Sequence, residues 1–292
     1  MGKLRLKKIV KSTIDSTIKY VFYTEDNLII EFSYINKNDG KDIICVPCNT
    51  LCNLACKFCF ATDLIGKIVS RNLTWDEITD GIDYIYLDLK LKVEPKTLLI
   101  SYMGMGDAVT NYKAVVDSMN YINNEYKVNT RFAFATALPK YNYEHFFNMV
   151  RLIDMLNLNV KLHISLHYTT DELRNEWMKA SLDIKSTIAA ADFYKIKTGN
   201  KVEIHYALID GINDTEEDAI RLTDLIKDKG FNVKFLYYNE KENIPAKHSD
   251  FKQVEIFAEH FKKYNIEYEY YIPPGQDCGS SCGIFLMDEY IN

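Results

Sequence analysis

Apolar segments with the alternating pattern of β-strands recur along this chain, and amphipathic segments with helical spacing separate most of them. Near the N-terminus, two apolar segments joined by polar turn residues predict a small β-meander. Further along, strands and helices alternate one by one, which predicts an α/β fold with a parallel sheet covered by helices. The strands of this sheet are predicted over residues 43–47, 97–103, 131–136, 159–166, 202–208 and 232–237. The helices are predicted over residues 111–125, 143–157, 183–197, 214–230 and 249–264, and another helix is predicted to start after Thr74.

Four consecutive regions follow from this pattern. Residues 1–18 form a basic segment, for which an exposed helix face or a frayed end is favoured over an RNA-contacting arm. Residues 19–44 form the β-meander, residues 45–272 the α/β region with six βα units, and residues 273–292 a C-terminal tail. Active sites of parallel sheets lie where the strands end, so we expect functional side chains in the loops that follow the strands.

The composition is typical of a soluble globular protein. Of the 292 residues, 47% are hydrophobic and 26% are charged, and the net charge of −6 argues against a strongly basic surface over the whole protein. No apolar segment predicts a signal peptide or a membrane span. Seven cysteines without a secretion signal favour thiols in a reducing compartment over disulfides. We therefore expect a cytoplasmic protein that does not contact a membrane.

Three of the cysteines are closely spaced, because Cys52, Cys56 and Cys59 form a C-x3-C-x2-C segment. This spacing predicts three ligands to a [4Fe-4S] cluster whose fourth iron stays open to another molecule. Structural zinc is the alternative, but it normally takes four ligands, and no second cysteine pair follows at a suitable spacing. A disulfide framework does not fit an intracellular chain. An iron–sulfur cluster is therefore the favoured interpretation of this loop.

The loop has Phe58 directly before its last cysteine and lies near the start of the α/β region, and in these features it resembles the radical SAM superfamily. The resemblance implies that S-adenosylmethionine (SAM) binds the open iron and that an electron from the cluster cleaves it to a 5′-deoxyadenosyl radical. It also implies a partial (β/α)6 TIM-like barrel and an external electron donor such as flavodoxin or ferredoxin. The difficult chemistry then belongs to the cofactors, and the protein orients them and excludes water.

Further segments, in the same order along the chain, resemble the class A radical SAM adenine methyltransferases of ribosomal RNA, the RlmN/Cfr group. They are the cluster loop, Arg71-Asn72-Leu73, Met103-Gly104-Met105-Gly106-Asp107, Ser165-Leu166-His167 with Asp171-Glu172 and Arg174, Leu208-Ile209-Asp210 with Asn213-Asp214, Asn239, and Cys282-Gly283. The cysteine near the C-terminus discriminates best, because most radical SAM enzymes have no use for one there. The resemblance covers residues 31–283, nearly the whole chain.

The resemblance also implies a set of residues that contact SAM. They are Gly106, Asp107, Thr136, Ser165, Leu166, His167 and Asn239. Asp107 stands where the family has the glutamate of Gly-Glu-Pro, so the acid is one methylene shorter. Thr136 lies in an Ala-Thr-Ala-Leu segment where the family has Ser-Thr-Ser-Gly. His205 also replaces an acid that is common in the family.

The family mechanism assigns chemistry to two further cysteines and a glutamate. By resemblance, Cys282 accepts a methyl group from a first SAM molecule. The radical from a second SAM molecule removes hydrogen from this S-methyl group, and the methylene radical adds to an sp2 carbon of adenine, carbon 2 or carbon 8. Glu31 matches the proposed base for the ring proton, and Cys45 matches the thiol that releases the covalent adduct as a disulfide. From the residues alone, the alternatives are an outward-facing strand glutamate and a buried strand cysteine.

Three functions remain open at this point. The resemblance implies an RNA substrate, either ribosomal or transfer RNA. Family members that act on ribosomal RNA carry a helical RNA-binding domain before the meander, where this sequence has about 18 residues, and RNA binding depends on basic contacts. The second function is the same mechanism on a nucleotide, a peptide or another small substrate. The third is an iron–sulfur radical SAM protein without methylase activity.

Overall fold

The computed structural model describes residues 2–37, 39–91, 97–280, 284 and 286–290. Within these residues, ten strands form a single sheet in which every strand lies beside its neighbours in sequence. The strands are β1 Leu4–Lys11, β2 Ile18–Thr24, β3 Ile29–Lys37, β4 Lys41–Cys45, β5 Thr97–Tyr102, β6 Thr130–Thr136, β7 Val160–Ser165, β8 Val202–Leu208, β9 Asn232–Tyr237 and β10 Tyr268–Tyr271. Pairing is antiparallel from β1 to β4 and parallel from β4 to β10. The sheet therefore continues across the boundary predicted between residues 44 and 45.

Helices connect the parallel strands, as the alternation along the sequence predicts. They are α1 Trp75–Asp88, α2 Tyr112–Glu125, α3 Tyr143–Met155, α4 Asp171–Trp177, α5 Ile184–Thr198, α6 Glu216–Ile226 and α7 Phe251–Lys262, and the short helix α8 Met287–Tyr290 follows the last strand. At the start of α1, the Thr74 hydroxyl accepts the Glu77 N–H at 3.3 Å and the Glu77 carboxylate accepts the Thr74 N–H at 2.9 Å. The sequence pattern does not predict α4, because seven residues give no clear helical period. None of the described helices has the length and apolar character needed to cross a membrane.

The basic N-terminal segment contains a strand, which corrects the expectation of an exposed helix face or a frayed end. β1 pairs along β2, and its Leu4 and Leu6 pack against the core. The basic side chains of Lys7 and Lys8 form ion pairs with Glu289 of α8, at 2.5 and 2.6 Å. The pattern misses this strand because a register shift between Leu6 and Lys8 interrupts the alternation of apolar and polar positions.

Among the described residues, the parallel part of the sheet has one strand more than the six predicted. β10 pairs with β9 at the end of the sheet, and Glu269 of β10 forms an ion pair with Lys234 of β9 at 2.7 Å. β10 has only four residues, in which tyrosines surround a glutamate. So short a segment, with no aliphatic residue, gives no strand signal in the sequence.

The two faces of the parallel sheet have different roles. One face packs against the helices through fully buried side chains such as Ile44, Ile100 and Phe134. Because side chains alternate between the faces along a strand, neighbouring residues such as Cys45 and Ser101 lie on the other face. They line a cavity of about 550 Å³ that strands β4 to β10 surround. The loops with the predicted functional residues lie where this cavity reaches the carboxyl ends of the strands.

Gly81 of α1 packs directly on the ring of Phe32 in β3, where an added Cβ would lie 2.3 Å from the ring carbon Cζ. We therefore expect Gly81→Ala to lower the free energy of unfolding by about 1–3 kcal/mol, although alanine has the better helix propensity. Urea unfolding followed by circular dichroism measures this change. Phe32→Leu makes room for the methyl group, so in that background the same substitution should cost less. An unchanged or higher stability of Gly81→Ala would contradict the tight packing.

Candidate active site

The three closely spaced cysteines lie at one end of the cavity, in the loop that follows β4. Cys52, Cys56 and Cys59 all line the cavity. The Cys59 N–H donates to the Cys56 carbonyl at 3.0 Å, and Ala55 takes a left-handed conformation with a φ of 53°. The Thr62 hydroxyl also donates to the Cys56 carbonyl, at 2.7 Å. These backbone contacts fold the loop so that all three thiols border the same space.

The spacing of the three sulfurs fits an iron–sulfur cluster better than a single zinc ion. In a tetrahedral zinc site with Zn–S bonds of about 2.3 Å, the sulfurs lie about 3.8 Å apart. These cysteines, all within the described part of the chain, do not form a group whose ligand atoms lie within 4.8 Å of one another. A cubane with one thiolate on each of three irons holds its sulfurs farther apart than one ion does. The three sulfurs thus lie too far apart for one zinc ion, and their position around one cavity suits the [4Fe-4S] cluster that their spacing in the sequence predicts.

The surroundings of these thiols disfavour their ionisation in the absence of a metal. Burial raises the pKa of Cys52, Cys56 and Cys59, and for Cys52 and Cys56 the neighbouring cysteines raise it further. Cysteine binds metals as the thiolate. Bound iron supplies the positive charge that stabilises three neighbouring thiolates.

Arg174 of α4 places a buried positive charge behind this site. Its side chain is 1% exposed and donates to the backbone carbonyls of Ser165, Leu166, Ala137 and Leu182. These partners are neutral. Burial lowers the pKa of Arg174 to about 10, so the guanidinium stays charged at neutral pH. Its charge favours anionic groups nearby, such as the thiolate form of Cys56.

The Ser-Leu-His segment at the end of β7 divides between the cavity and the core. Ser165 and His167 line the cavity, whereas the side chain of Leu166 is fully buried in the core and does not line it. The Nδ1 atom of His167 accepts the Ala207 N–H at 3.0 Å, so the neutral ring carries its proton on Nε2. Burial lowers the pKa of His167 well below its usual value. His167 therefore offers a neutral N–H donor, and its ring packs edge to face on Phe58 at 5.0 Å.

The loop after β5 brings Gly106 and Asp107 to the cavity and ties them to the end of β6. Gly106 has a φ of 108°, and a Cβ there would lie 2.1 Å from the Oδ1 atom of Asn49, so this position requires glycine. The Asp107 carboxylate accepts the Thr136 hydroxyl at 2.9 Å and the Ala137 N–H at 2.8 Å. Asp107 and the Ala-Thr-Ala-Leu segment of Thr136 both depart from the family pattern, and here they contact each other. Thr136 holds the shorter acid, Asp107, in place.

Asn239 reaches the cavity from the loop after β9. It also borders a second cavity of about 570 Å³, beside Gly279 and Ile284 of the C-terminal tail. Asn239 therefore lies where the main cavity meets the tail.

Cys45 and Glu31 lie on the same face of the sheet. Cys45 lines the cavity, and its partner across the β3–β4 pairing is Ser33. Directly opposite residues share a face, and Glu31 shares it too because it precedes Ser33 by two positions. Glu31 is 1% exposed, and its carboxylate accepts the Leu286 N–H at 2.9 Å, so it is not an outward-facing strand residue. The remaining predicted catalytic residue, Cys282, lies outside the described residues.

The motifs miss a buried polar network inside the cavity. His163 of β7 and His205 of β8 have ring nitrogens 2.6 Å apart, and Glu203 lies 3.0 Å from His163. These three residues are close enough to hold a metal ion, but Lys161 and Lys234 already neutralise the Glu203 carboxylate. Burial lowers the pKa of both histidines and keeps them uncharged. The signal in the sequence is the alternation of polar residues in the otherwise apolar strands β7 and β8.

Comparison with solved structures identifies the class of enzyme that this fold and cysteine loop define. A radical SAM methyltransferase from Sphaerobacter thermophilus superposes with a TM-score of 0.83 at 25% identity, over 97% of this chain and 81% of that one. Streptococcus suis SuiB, solved with bound S-adenosylmethionine, superposes with a TM-score of 0.55 at 17% identity, over 80% of this chain and 52% of that one, and shows likeness of fold alone. The architecture is therefore the partial barrel of radical SAM enzymes, as predicted.

Curated relatives narrow this class to one family, although no family model matches the chain. The probable dual-specificity RNA methyltransferase RlmN of Dictyoglomus turgidum is 32% identical, over 96% of this chain and 78% of the relative. Its counterpart from Clostridium beijerinckii is 30% identical, over 100% of this chain and 80% of the relative. The chain therefore belongs to the RlmN family of radical SAM methyltransferases, which use a [4Fe-4S] cluster and SAM. This confirms the predicted enzyme class and cofactors, whereas the roles of individual residues stay predictions.

Burial raises the pKa of Asp107 to about 6, although its hydrogen bonds favour the ionised form. In the predicted contact with SAM, the ionised Asp107 carboxylate would attract the ammonium group and the protonated acid would not. We therefore expect the Kd of the holoprotein for SAM to rise about fourfold from about pH 7.5 to about pH 5.5, as the ionised fraction falls. Anaerobic calorimetry measures this Kd. Asp107→Asn should bind SAM more weakly at the higher pH and lack the pH step, and a wild-type Kd that stays constant contradicts this role of Asp107.

Proposed function

We propose that this protein methylates an sp2 carbon of adenine in an RNA, carbon 2 or carbon 8, with Cys282 as the methyl carrier. The proposal rests on the anchoring of the C-terminal tail, because residues on both sides of Cys282 in sequence bind elements that border the cavity. The curated relatives are named as RNA methyltransferases, which supports an RNA substrate. When bound, the cluster and SAM supply the methyl group and the radical that such an unreactive carbon requires.

Before Cys282, the tail is held by the N-terminal strands. The Asp277 carboxylate accepts the Thr13 N–H at 2.7 Å. The Ser280 hydroxyl lies 3.5 Å from the Glu31 carboxylate. Glu31 lies on the face of β3 that continues the cavity-lining face of β4. Ser280 precedes Cys282 by two residues, and two residues of chain span at most about 7 Å. This short tether supports a carrier thiol within reach of the cavity.

After Cys282, the tail is held beside the cluster loop. Leu286 is fully buried in an apolar cluster that borders Cys52 and Cys59. In α8, the Glu289 carboxylate then pairs with the two lysines of β1. The chain is thus fastened next to the predicted iron ligands as well as to the N-terminal strands.

Each protein residue then has a defined task in the proposed reaction. The Cys282 thiolate accepts the methyl group by displacement. Once this carbon is bonded to adenine, the adduct radical loses one electron, which the bound cluster would accept, and Glu31 takes the ring proton. Cys45 then attacks the Cys282 sulfur: the S–S bond forms, the C–S bond breaks, and the carbon keeps the electron pair and gains a proton to become the product methyl group.

A small substrate, such as a nucleotide or a peptide, is the second candidate for the same chemistry. RNA binding depends on cationic side chains that contact phosphate. Lys7 and Lys8 of the basic N-terminal segment are instead paired with Glu289. Together with the net charge of −6, this pairing favours a substrate with fewer phosphates.

Purification of Cys45→Ala from cells distinguishes the two substrates. Without Cys45 the adduct is not released, so an RNA substrate should remain covalently bound and give an ultraviolet absorbance that nuclease removes. Mass spectrometry of protein expressed with iron should also find a methyl group on Cys282. Cys278→Ser removes the neighbouring thiol and serves as the matched control, with wild-type behaviour expected. Methylated Cys282 without bound nucleic acid would favour the small substrate, and unmethylated Cys282 in iron-loaded protein would overturn the proposal.

Substitutions separate the two tasks that Glu31 has in this proposal. Glu31→Gln keeps an oxygen that accepts the Leu286 N–H but removes the base, whereas Glu31→Ala removes both. We expect Glu31→Gln to keep Cys282 methylation near the wild-type level and to form no released product. Glu31→Ala should reduce Cys282 methylation as well, by about tenfold, since it loses a hydrogen bond to a charged acceptor. Mass spectrometry of Cys282 and of the substrate measures both steps, and equal Cys282 methylation in the two variants would contradict the anchoring role.

A further inference from the structure

Lys241 lies in the loop after β9, and its ammonium group is buried against the cluster loop. The side chain is 2% exposed, and Nζ donates to the Cys59 carbonyl at 3.1 Å and to the Asp63 carboxylate at 3.0 Å. It also lies 5.4 Å from the centre of the Phe60 ring. All three partners belong to the end of the cluster loop and the 3-10 helix Phe60–Leu64 that follows it.

This contact joins two loops of the site. Lys241 follows Asn239 by two residues, so the loop that reaches the cavity after β9 is tied to the loop that carries Cys59. A buried ammonium group is unfavourable unless partners compensate its charge. Lys57, on the same cluster loop, shows the contrasting arrangement, because its side chain is 43% exposed and pairs with the exposed Glu176 at 2.7 Å.

We infer that Lys241 is a positioning residue that fixes the Cys59 end of the cluster loop and makes the surroundings of the bound cluster more positive. The inference rests on the cluster site at Cys52, Cys56 and Cys59. Reduction adds one electron to the cluster, so a nearby positive charge stabilises the reduced form and raises the reduction potential. The Asp63 carboxylate acts in the opposite direction. The reduction potential of the cluster therefore depends on the balance between the buried charge of Lys241 and the half-buried charge of Asp63.

Substitution of each charge in the anaerobically reconstituted holoprotein tests this inference. Redox titration followed by electron paramagnetic resonance measures the potential of the cluster, and iron analysis measures its occupancy. Lys241→Met removes the positive charge at similar volume and should lower the potential. Asp63→Asn removes the negative charge and should raise it, and the double variant should lie between the two. Lys57→Met is the matched control on the same loop, and its potential should equal that of the wild type.

The outcomes separate this inference from the cluster site on which it rests. Wild-type potentials in both Lys241→Met and Asp63→Asn, with full iron content, would overturn it. Iron lost from Lys241→Met and restored in Lys241→Arg supports the positioning role, because arginine keeps the charge and the donors. In that case the reduction potential of the Asp63→Asn variant still tests whether these charges shift the potential of the cluster. Iron absent from the wild-type protein would instead reject the cluster site itself.

Discussion

The buried guanidinium of Arg174 is the contact on which the arrangement of the site most depends. It donates to carbonyls after two neighbouring strands, at Ala137 after β6 and at Ser165 and Leu166 around the end of β7. It thereby fixes both loops that carry predicted contacts to SAM. Its hydrogen-bond partners are neutral, so its charge is compensated by acidic groups nearby, namely Asp171, Asp183 and the Cys56 thiol when it is ionised. One buried group thus organises two loops of the candidate site.

The change from antiparallel to parallel pairing at β4 gives the site two sources of residues. The parallel strands supply the cavity and the loops around it, whereas β1 to β3 extend the same sheet and bind the C-terminal tail. Cys45 is the last residue of β4, the strand shared by the antiparallel and parallel parts of the sheet, and Glu31 lies on the adjoining strand β3. The residues proposed for release of the product therefore lie at the junction, between the cluster loop and the tail.

The sequence predicts those features whose interacting residues are close together along the chain. The spacing of Cys52, Cys56 and Cys59 and the helix start at Thr74 are of this kind. The Ser-Leu-His motif indicates a functional segment. That Leu166 points to the core becomes clear only when the alternation of side chains along β7 is continued one residue beyond the end of the strand. Lys241 contacts a residue 178 positions away, and no local pattern reveals such a pair. β1 stays hidden for a different reason, since its bulge breaks the period on which strand prediction depends.

The strand order has a consequence for how the protein matures. Every strand pairs with its predecessor, so the sheet can assemble in the order in which the ribosome releases it. The tail is the exception, because Glu289 pairs with Lys7 across 282 positions and can dock only after residue 289 has been synthesised. The loop with Cys52, Cys56 and Cys59 therefore emerges from the ribosome well before the tail can dock. The order of synthesis thus allows this loop to fold before the tail docks on β1.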